Sequence, residues 1–408
     1  MNNIELMDAV KKRETPFYIY DTDVLEETVE SLYRKLFPGV RLCFAMKANP
    51  FLTGIAAGLT DRIEVCSFGE SRIVKELGID RRKVLISGVL KKKEDMEREI
   101  SDFGGEALYT AESAAQFQLL QQAAARQKKH LSVLLRLTNG SQFGMDAFEI
   151  EDVLSRRYTN VEVVGLHYFT GTQKRNADCI LKELAAVSGF MDRENASHGH
   201  KLRMLEYGPG FRIDYFQPKE DFILPDTDWE RLNALLSDIC SRYQVTFEMG
   251  RALTADCGYY LTRVCDVKQN KDTNYAIVDG GIHQLNYDGQ IRGMYMPQVS
   301  FLQPSDRDTA KEKRKWTVCG SLCTTNDVLL QQQELPDLSP GDVLVFKQTG
   351  AYSIMEGMSL FLSHELPAVY FFSGQEGLRL LRKRQESYSF NMPRTVVQEM
   401  ENFKAALA

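Results

Sequence analysis

The chain alternates short apolar segments with helical patterns eight times, and this alternation restricts its possible folds more than any other feature. The apolar segments are rich in β-branched and aromatic residues and span 41–49, 62–68, 83–88, 107–112, 131–138, 161–169, 204–208 and 244–250. Between them, apolar residues recur at three- and four-residue spacing, most clearly over 113–127 and 229–243, which predicts helices. Eight strand–helix units predict a parallel (β/α)8 barrel. Counting units does not show closure, so a doubly wound open sheet remains an alternative.

The pattern changes after about residue 254. Strand-like segments separated by turns follow at 259–267, 275–278, 316–319, 342–347 and 368–372. A further strand signal at 16–20 precedes the barrel and has no neighbour to pair with, so we expect it to join this later β region. The fold class is therefore α/β, with a TIM-like (β/α)8 barrel over 25–254 and a mainly β C-terminal domain formed by 1–24 plus 255–408.

Composition excludes several classes of protein. The 408 residues carry 50 Lys and Arg against 56 Asp and Glu, a net charge of −6, and no basic stripe, so nucleic-acid binding is not expected. We find neither a signal sequence nor an apolar run of membrane-spanning length, and we predict a cytoplasmic protein. The eight scattered cysteines are expected to be free thiols, and no metal site is predicted. The lysine runs 91–93 and 311–315 are interpreted as solvated.

Polar residues stand where several predicted barrel strands end. Catalytic groups of such barrels lie at these C-terminal ends, because the loops there meet at one mouth. Lys47 ends the first strand, and a partly desolvated lysine there is suited to forming a Schiff base, although a lysine reaching solvent is the simpler interpretation. Glu248 and Arg251 end the eighth strand and are either functional or a structural ion pair. The turn 207–211 after the seventh strand is a candidate phosphate site, weakened by Pro209, which has no amide donor.

Six motifs in order make the chain similar to a known family. They are 45–49 (AMKAN), 64–70 (EVCSFGE), 165–173 (GLHYFTGTQ), 248–251 (EMGR), 320–327 (GSLCTTND) and 350–352 (GAY). Together they resemble the pyridoxal-phosphate-dependent decarboxylases of the alanine-racemase-like fold, which include the diaminopimelate and ornithine decarboxylases. The resemblance runs from about residue 16 to about residue 393.

The resemblance implies an enzyme whose cofactor is pyridoxal 5′-phosphate. Lys47 would hold the cofactor, Glu248 would face the pyridine nitrogen, and Cys323 would return a proton to the α-carbon. The implied cofactor-binding residues are Lys47, Glu64, His167, Phe169, Gly208, Gly210, Glu248, Gly250, Arg251 and Tyr352. In this family the cysteine loop comes from the partner subunit, so a homodimer with shared active sites is implied. Racemases of the same fold place an arginine at the ring nitrogen, and Glu248 therefore favours decarboxylation.

Departures from the family motifs narrow the substrate. The position after the catalytic cysteine is a carboxylate in diaminopimelate and ornithine decarboxylases, where it recognises a distal ammonium, but here it is Thr324. The segment 279–287 also lacks the downstream Arg-Pro of diaminopimelate enzymes. We infer that the substrate is neither diaminopimelate nor a simple basic amino acid. Thr324 and Asp327 are the candidate substrate-binding residues, and Asp327 remains a possible source of charge.

Three further departures affect the cofactor site and leave alternatives open. Phe169 replaces a histidine expected to stack on the pyridine ring, His167 has no clear role, and Pro209 and Met249 replace residues near the phosphate and ring nitrogen. The strings 168–173 and 322–324 are most similar to a natural-product subgroup that includes the butirosin glutamyl-carrier-protein decarboxylase, which suggests a carrier-bound aminoacyl or other natural-product substrate. The alternatives are a polyamine-pathway decarboxylase resembling carboxynorspermidine decarboxylase and a catalytically degenerate cofactor-binding protein.

Overall fold

The computed structural model describes residues 1–174, 176–199, 201–217, 222–303 and 313–393. The chain separates into two compact units. One contains Met1–Asp23, Tyr215–Gln217 and Asp256–Ala408, and the other contains Val24–Asp214 and Pro218–Ala255. Among the described residues, no helix has the length and apolar character needed to cross a bilayer.

The first unit opens with helix α1 (Asn3–Lys12) and strand β1 (Phe17–Asp21). The second unit is a closed parallel barrel of eight strands, which confirms the predicted fold and excludes the open sheet. The barrel strands are β2 (Arg41–Ala45), β3 (Arg62–Val65), β4 (Val84–Ile86), β5 (Leu108–Ala111), β6 (Leu131–Leu137), β7 (Val161–Phe169), β8 (Met204–Gly208) and β9 (Gln244–Met249). Pairing of β9 with β2, from Arg41 beside Thr246 to Phe44 beside Met249, closes the barrel.

A helix follows each barrel strand, and one more precedes the first. The helices are α2 (Thr22–Lys35), α3 (Thr53–Leu59), α4 (Phe68–Glu76), α5 (Lys93–Phe103), α6 (Ala114–Gln127), α7 (Ala147–Ser155), α8 (Ala177–His198), α9 (Asp226–Cys240) and α10 (Arg251–Thr254). Several begin at a side-chain cap soon after a strand ends. Ser67 accepts from the Glu70 amide at 3.2 Å, and Asp146 accepts from the Glu149 amide at 2.8 Å. Such caps satisfy amides that a helix leaves unpaired, and they define the loops at the barrel mouth.

The barrel interior contains an apolar layer and a buried ion pair. Five strands, β2 and β4 to β7, contribute one residue each to an apolar cluster formed by Cys43, Leu85, Leu108, Leu134 and Val164. Arg62 of β3 pairs with Glu206 of β8, and the two residues are 8% and 1% exposed. The Arg62 Nη1 atom also lies 3.3 Å from the Thr246 hydroxyl. Charged side chains therefore fill space that branched apolar residues (Val, Ile, Leu) occupy in many barrels.

Lys91 is not solvated as its sequence context predicts. It is buried in the loop after β4, where its ammonium donates to the Gly88 carbonyl at 2.8 Å. Burial lowers the pKa of Lys91 to about 8. The exposed neighbours Lys92 and Lys93 do match the expectation. Of the second lysine run, residues 311 and 312 lie outside the described residues, and residues 313–315 are exposed.

The β-rich unit holds one mixed sheet. Its remaining strands are β10 (Gly258–Asn270), β11 (Thr273–Val278), β12 (Val299–Leu302), β13 (Lys313–Cys319), β14 (Val328–Pro336), β15 (Val343–Lys347), β16 (Ala368–Ser373) and β17 (Gly377–Arg382). The N-terminal β1 runs antiparallel to β10 and parallel to β16. Leu6 and Val10 of α1 pack on the same core cluster as Phe17 of β1. A short helix, α11 (Tyr388–Asn391), lies near the end of the described chain.

Replacing Glu206 by Gln should destabilise the barrel strongly, because the Arg62 guanidinium would stay buried without a counter-charge. We expect the free energy of unfolding to fall by about 3–5 kcal/mol, measured by chemical denaturation. The double replacement Arg62→Met with Glu206→Leu should regain most of this loss, since it removes both buried charges. Glu162→Gln, which breaks an exposed pair with Arg203, is the control and should cost less than about 1 kcal/mol. Equal effects of Glu206→Gln and the control would contradict the buried-pair argument.

Candidate active site

Four side chains meet at the C-terminal ends of the barrel strands. Lys47 follows β2 in a short 3-10 turn (Met46–Ala48), and its ammonium contacts the Glu64 carboxylate directly. The same Nζ atom lies 3.4 Å from Oε1 of Glu248, and the other Glu248 oxygen lies 2.9 Å from Nε2 of His167. The sequence predicts each of these residues for the site, and the structure brings all four together.

The period of a strand explains why the carboxylates point inward. Arg62 and Thr246 each lie two residues before Glu64 and Glu248 on the same strands, so the four side chains share the inner face in two layers. Glu64 and Glu248 are 2% and 8% exposed. The Lys47 side chain keeps 38% exposure, which leaves it accessible to a ligand.

Glu248 is held as an anion. Burial alone would raise its pKa, but the charge of Lys47 and the hydrogen bond from His167 outweigh burial, so the pKa of Glu248 lies below its ordinary value. A buried carboxylate of this kind favours a protonated, cationic partner such as a pyridinium nitrogen.

His167 acts on Glu248 in this arrangement, although the sequence leaves its role open. The ring is buried at 1% exposure, and Nε2 faces the carboxylate. Its Nδ1 atom has no hydrogen-bond partner among the described residues. Phe169, two residues further along β7, lies where a side chain on Gly208 would overlap its ring. The phenylalanine ring is thus held beside the glycine turn that follows β8.

Cys66 also belongs to the site, although the sequence indicates only that it is one of eight free thiols. Its sulfur lies 3.6 Å from Nζ of Lys47 and 3.2 Å from Oε1 of Glu64. Burial and the negative charge of Glu64 raise the pKa of Cys66, so the thiol stays protonated. Its position one residue after β3 is the sequence signal that places Cys66 in the site, because the C-terminal ends of barrel strands converge.

The turn 208–210 packs tightly against the loop after β7. Gly210 has a φ of 62°, and a side chain there would overlap the Gly171 carbonyl. The Lys174 amide donates to the Gly210 carbonyl at 2.9 Å, which ties the two loops together. After β9, Gly250 precedes the buried Arg251, which begins α10. These glycines and Arg251 stand at the same ends of the strands as Lys47.

The remaining predicted residues lie in the β-rich unit. Cys323 is exposed and Thr324 is partly exposed. Tyr352 has a left-handed backbone with a φ of 64°. Asp327 differs from our expectation of a substrate-facing charge, because it is 2% exposed and its carboxylate accepts from the Ile282 and Leu322 amides, each at 2.8 Å. Its role is to join two loops.

The donor set in the barrel fits pyridoxal phosphate. A partly exposed lysine provides an amine for a carbonyl compound, and a buried anionic glutamate provides the partner for a pyridinium. The unpartnered Nδ1 of His167 adds a buried polar atom in the same place. Lys47, Glu64, His167 and Glu248 are the motif residues that the structure brings into contact here and that would hold the cofactor.

Comparisons with known proteins agree with this geometry. The family model described as pyridoxal-dependent decarboxylase, C-terminal sheet domain, matches residues 17–350. An L-glutamyl-[BtrI acyl-carrier protein] decarboxylase of Niallia circulans is 27% identical over 90% of this chain and 91% of its own. A 2-[(L-alanin-3-ylcarbamoyl)methyl]-2-hydroxybutanedioate decarboxylase of Staphylococcus aureus is 25% identical over 86% of this chain and 92% of its own.

A solved structure shows the same fold. Diaminopimelate decarboxylase from Helicobacter pylori, complexed with L-lysine, superposes with a TM-score of 0.80 at 21% identity, covering 95% of this chain and 98% of that one. The family match spans most of the chain, both structural units included. The chain therefore belongs to the pyridoxal-dependent decarboxylases and is a carboxy-lyase that uses pyridoxal 5′-phosphate.

Proposed function

We propose that the protein removes the α-carboxyl group of an amino acid whose side chain ends in an acyl group rather than an ammonium. A glutamyl group bound to a carrier protein is one such substrate. The observation that carries this proposal is the charge of the Cys323 loop, residues 321–327, all of which the structure describes.

Within this loop the only carboxylate faces inward. Asp327 accepts two backbone hydrogen bonds and is almost fully buried. Thr324, at the position that follows the cysteine, accepts a hydrogen bond from the Asn326 amide at 3.3 Å. A neutral hydroxyl does not form the charge-assisted bond that a carboxylate forms with an ammonium. An ammonium tail therefore has no carboxylate partner on this loop, which disfavours diaminopimelate, ornithine and polyamine precursors.

The names of two relatives support an acyl tail. Loss of the α-carboxyl group as carbon dioxide requires that group to be free, so a carrier-bound glutamyl substrate is attached through its side-chain carboxyl. The substrate named for the Staphylococcus aureus relative is an alanine whose β-carbon bears an amide. Both side chains carry an acyl group in place of an ammonium. This agrees with a Cys323 loop that has no carboxylate available for an ammonium.

The chain's own residues divide the work. When bound, the cofactor supplies the electron sink for the carbanion left by carbon dioxide. Lys47 would hold the cofactor through its side-chain amine, which a substrate amine would replace. Glu248 would face the pyridine nitrogen and favour its protonated form, and His167 orients the Glu248 carboxylate. Cys323 donates its thiol proton to the α-carbon, forming the new C–H bond.

The arrangement supports an active enzyme rather than a degenerate one. Phe169, Pro209 and Met249 depart from the family motifs, yet Lys47 and Glu248 keep their charged contacts. Glu248 also disfavours a racemase, because the resemblance implies that racemases of this fold place an arginine at the ring nitrogen.

A homodimer with shared sites is part of the proposal. Cys323 is exposed in the β-rich unit, and the nearby segment 355–362 exposes several large apolar side chains. These are Met355, Met358, Leu360, Phe361 and Leu362, exposed by 37–51%. Large apolar side chains exposed close together in sequence are typical of an interface, and a second copy of the chain is the partner we expect.

The proposed function is tested directly by measuring carbon dioxide release from two sets of substrates, acyl-tailed amino acids and basic amino acids. We expect release from glutamyl-carrier protein and related acyl-tailed amino acids, and at most trace release from ornithine, lysine and diaminopimelate. The reason is that only the basic substrates have a distal ammonium, which would need a carboxylate partner on the Cys323 loop. Release from ornithine, lysine or diaminopimelate at the rate of a dedicated enzyme would contradict the proposal.

Lys47→Ala should abolish the visible absorbance of lysine-bound pyridoxal phosphate and the release of carbon dioxide, because it removes the amine to which the proposal assigns covalent attachment of the cofactor. Lys92→Ala, at an exposed lysine, is the matched control and should retain both. The cofactor-loaded protein is examined by absorbance before and after borohydride reduction. A Lys47→Ala protein with the unaltered band would place the covalent attachment elsewhere.

Cys323→Ala should lower kcat by about 10²–10⁴-fold, the usual contribution of a positioned proton donor. Cofactor absorbance should be unchanged, because the thiol acts after the cofactor is bound. Cys265→Ala removes another exposed cysteine of the β-rich unit and should leave kcat unaffected. Equal rates of product formation by the Cys323→Ala and Cys265→Ala proteins would assign the acid role to another group.

A further inference from the structure

A pocket of about 290 Å³ in the β-rich unit adjoins the Cys323 loop. Ile282 and Leu285 form part of an apolar wall, while Asn286, Arg292 and Asn326 contribute polar groups. Asn326 belongs to the Cys323 loop itself, so the pocket borders the segment that presents the thiol.

Arg292 is the positively charged group of this pocket. Its Nη2 atom donates to the Thr325 carbonyl at 3.2 Å, two residues from Cys323. Among the described residues, Arg292 forms no ion pair within 4 Å. A guanidinium carries five N–H donors, and the structure shows one of them in use. The side chain therefore has donors available for a ligand.

The loop that carries Arg292 is held firmly. The Gln290 side chain donates to the Tyr295 carbonyl at 2.7 Å and accepts from the Tyr295 amide at 3.0 Å. The Gln331 amide of β14 donates to the Gly293 carbonyl at 2.8 Å. Arg292 itself has a φ of 47°, an unusual backbone conformation for a residue with a side chain. Such strain persists where surrounding contacts hold it, and it is found most often at ligand sites.

The pocket also contains a carboxylate, and that carboxylate has a partner. Oε2 of Glu356 accepts from the Asn286 amide nitrogen at 3.1 Å. Arg292 is thus the cationic donor of this pocket, and one of its N–H groups is used by the Thr325 carbonyl. Together with the neutral Thr324, it gives the surroundings of the Cys323 loop a preference for acceptor oxygens.

We propose that Arg292 determines specificity by binding a carbonyl oxygen at the far end of the substrate side chain. This inference rests on the proposed function, because it takes Cys323 as the proton donor to the α-carbon. The contact with Thr325 lies two residues from that thiol, so the recognised oxygen belongs to the amino-acid side chain and not to a distant part of a carrier. A free carboxylate and a carrier-linked acyl group both present such an oxygen.

Three amines of equal length test this inference on the cofactor-loaded enzyme. They are 4-aminobutanoate, 4-aminobutanamide and 1,4-diaminobutane, which end in a carboxylate, a neutral carbonyl and an ammonium. Each dissociation constant is measured from the change in cofactor absorbance when the amine replaces Lys47. We expect the carboxylate and the amide to bind at least about tenfold more tightly than the diamine, since an ammonium is repelled by Arg292.

Arg292→Gln should weaken binding of the carbonyl-bearing amines by about ten- to a hundredfold and leave the diamine unchanged or tighter. Arg292→Lys should restore part of the affinity. Arg379→Gln, at an exposed arginine outside the pocket, should change none of the three. Unaltered cofactor absorbance in each variant shows that the site is intact.

The outcomes separate two sources of the carbonyl oxygen. If Arg292→Gln weakens the binding of 4-aminobutanoate alone, the recognised oxygen belongs to a free carboxylate. If it weakens the binding of 4-aminobutanamide equally, the oxygen belongs to an acyl carbonyl of the kind that a carrier thioester presents. Either result supports the proposal. Tightest binding of the diamine, or no effect of Arg292→Gln, overturns it while decarboxylation stands. Failure to bind the cofactor or to release carbon dioxide overturns the proposed function as well.

Discussion

The site depends on the contact between one ammonium group and two buried carboxylates. Lys47 lies against Glu64 and 3.4 Å from Glu248, and His167 holds the other oxygen of Glu248. Buried charges of this kind are tolerated only when paired and hydrogen-bonded, so each residue limits what its neighbours can be. Closure of the barrel is what makes the pairing possible, because it brings strands distant in sequence around one axis. Arg62 and Glu206 lie deeper in the barrel, and these two buried charges are likewise paired with each other.

The β-rich unit contributes a different chemistry. Its Cys323 loop directs its carboxylate inward, to backbone amides, and keeps a neutral hydroxyl at the position where related enzymes place an acid. The neighbouring loop supplies the guanidinium of Arg292. In the proposed function, the neutral residue at this position and the nearby guanidinium both disfavour an ammonium tail and favour a carbonyl oxygen. The two loops therefore support one account of the substrate, while the barrel residues account for the cofactor.

Much of the fold could be predicted from local patterns, and the errors share a physical cause. The eight barrel segments and the later strands each carry a period that sequence shows directly. Lys91 was misjudged because a lysine run normally remains solvated, whereas here its first member donates to a buried carbonyl. Cys66 does not stand out in the sequence, because its contact with Lys47 joins residues 19 positions apart at the ends of neighbouring strands. Asp327 was given a substrate-facing charge because a motif does not say which way a side chain turns.

The sequence by itself determined the order of strands and helices, the family motifs and the residue types available for chemistry. These follow from the spacing of apolar residues and from side-chain identity, which act over a few neighbouring positions. Tertiary structure alone decided that the sheet closes, that His167 faces Glu248, that Asp327 turns inward and that Arg292 lies beside Thr325. Such contacts join residues distant in sequence, and their geometry depends on how strands twist and loops pack, which no local pattern records.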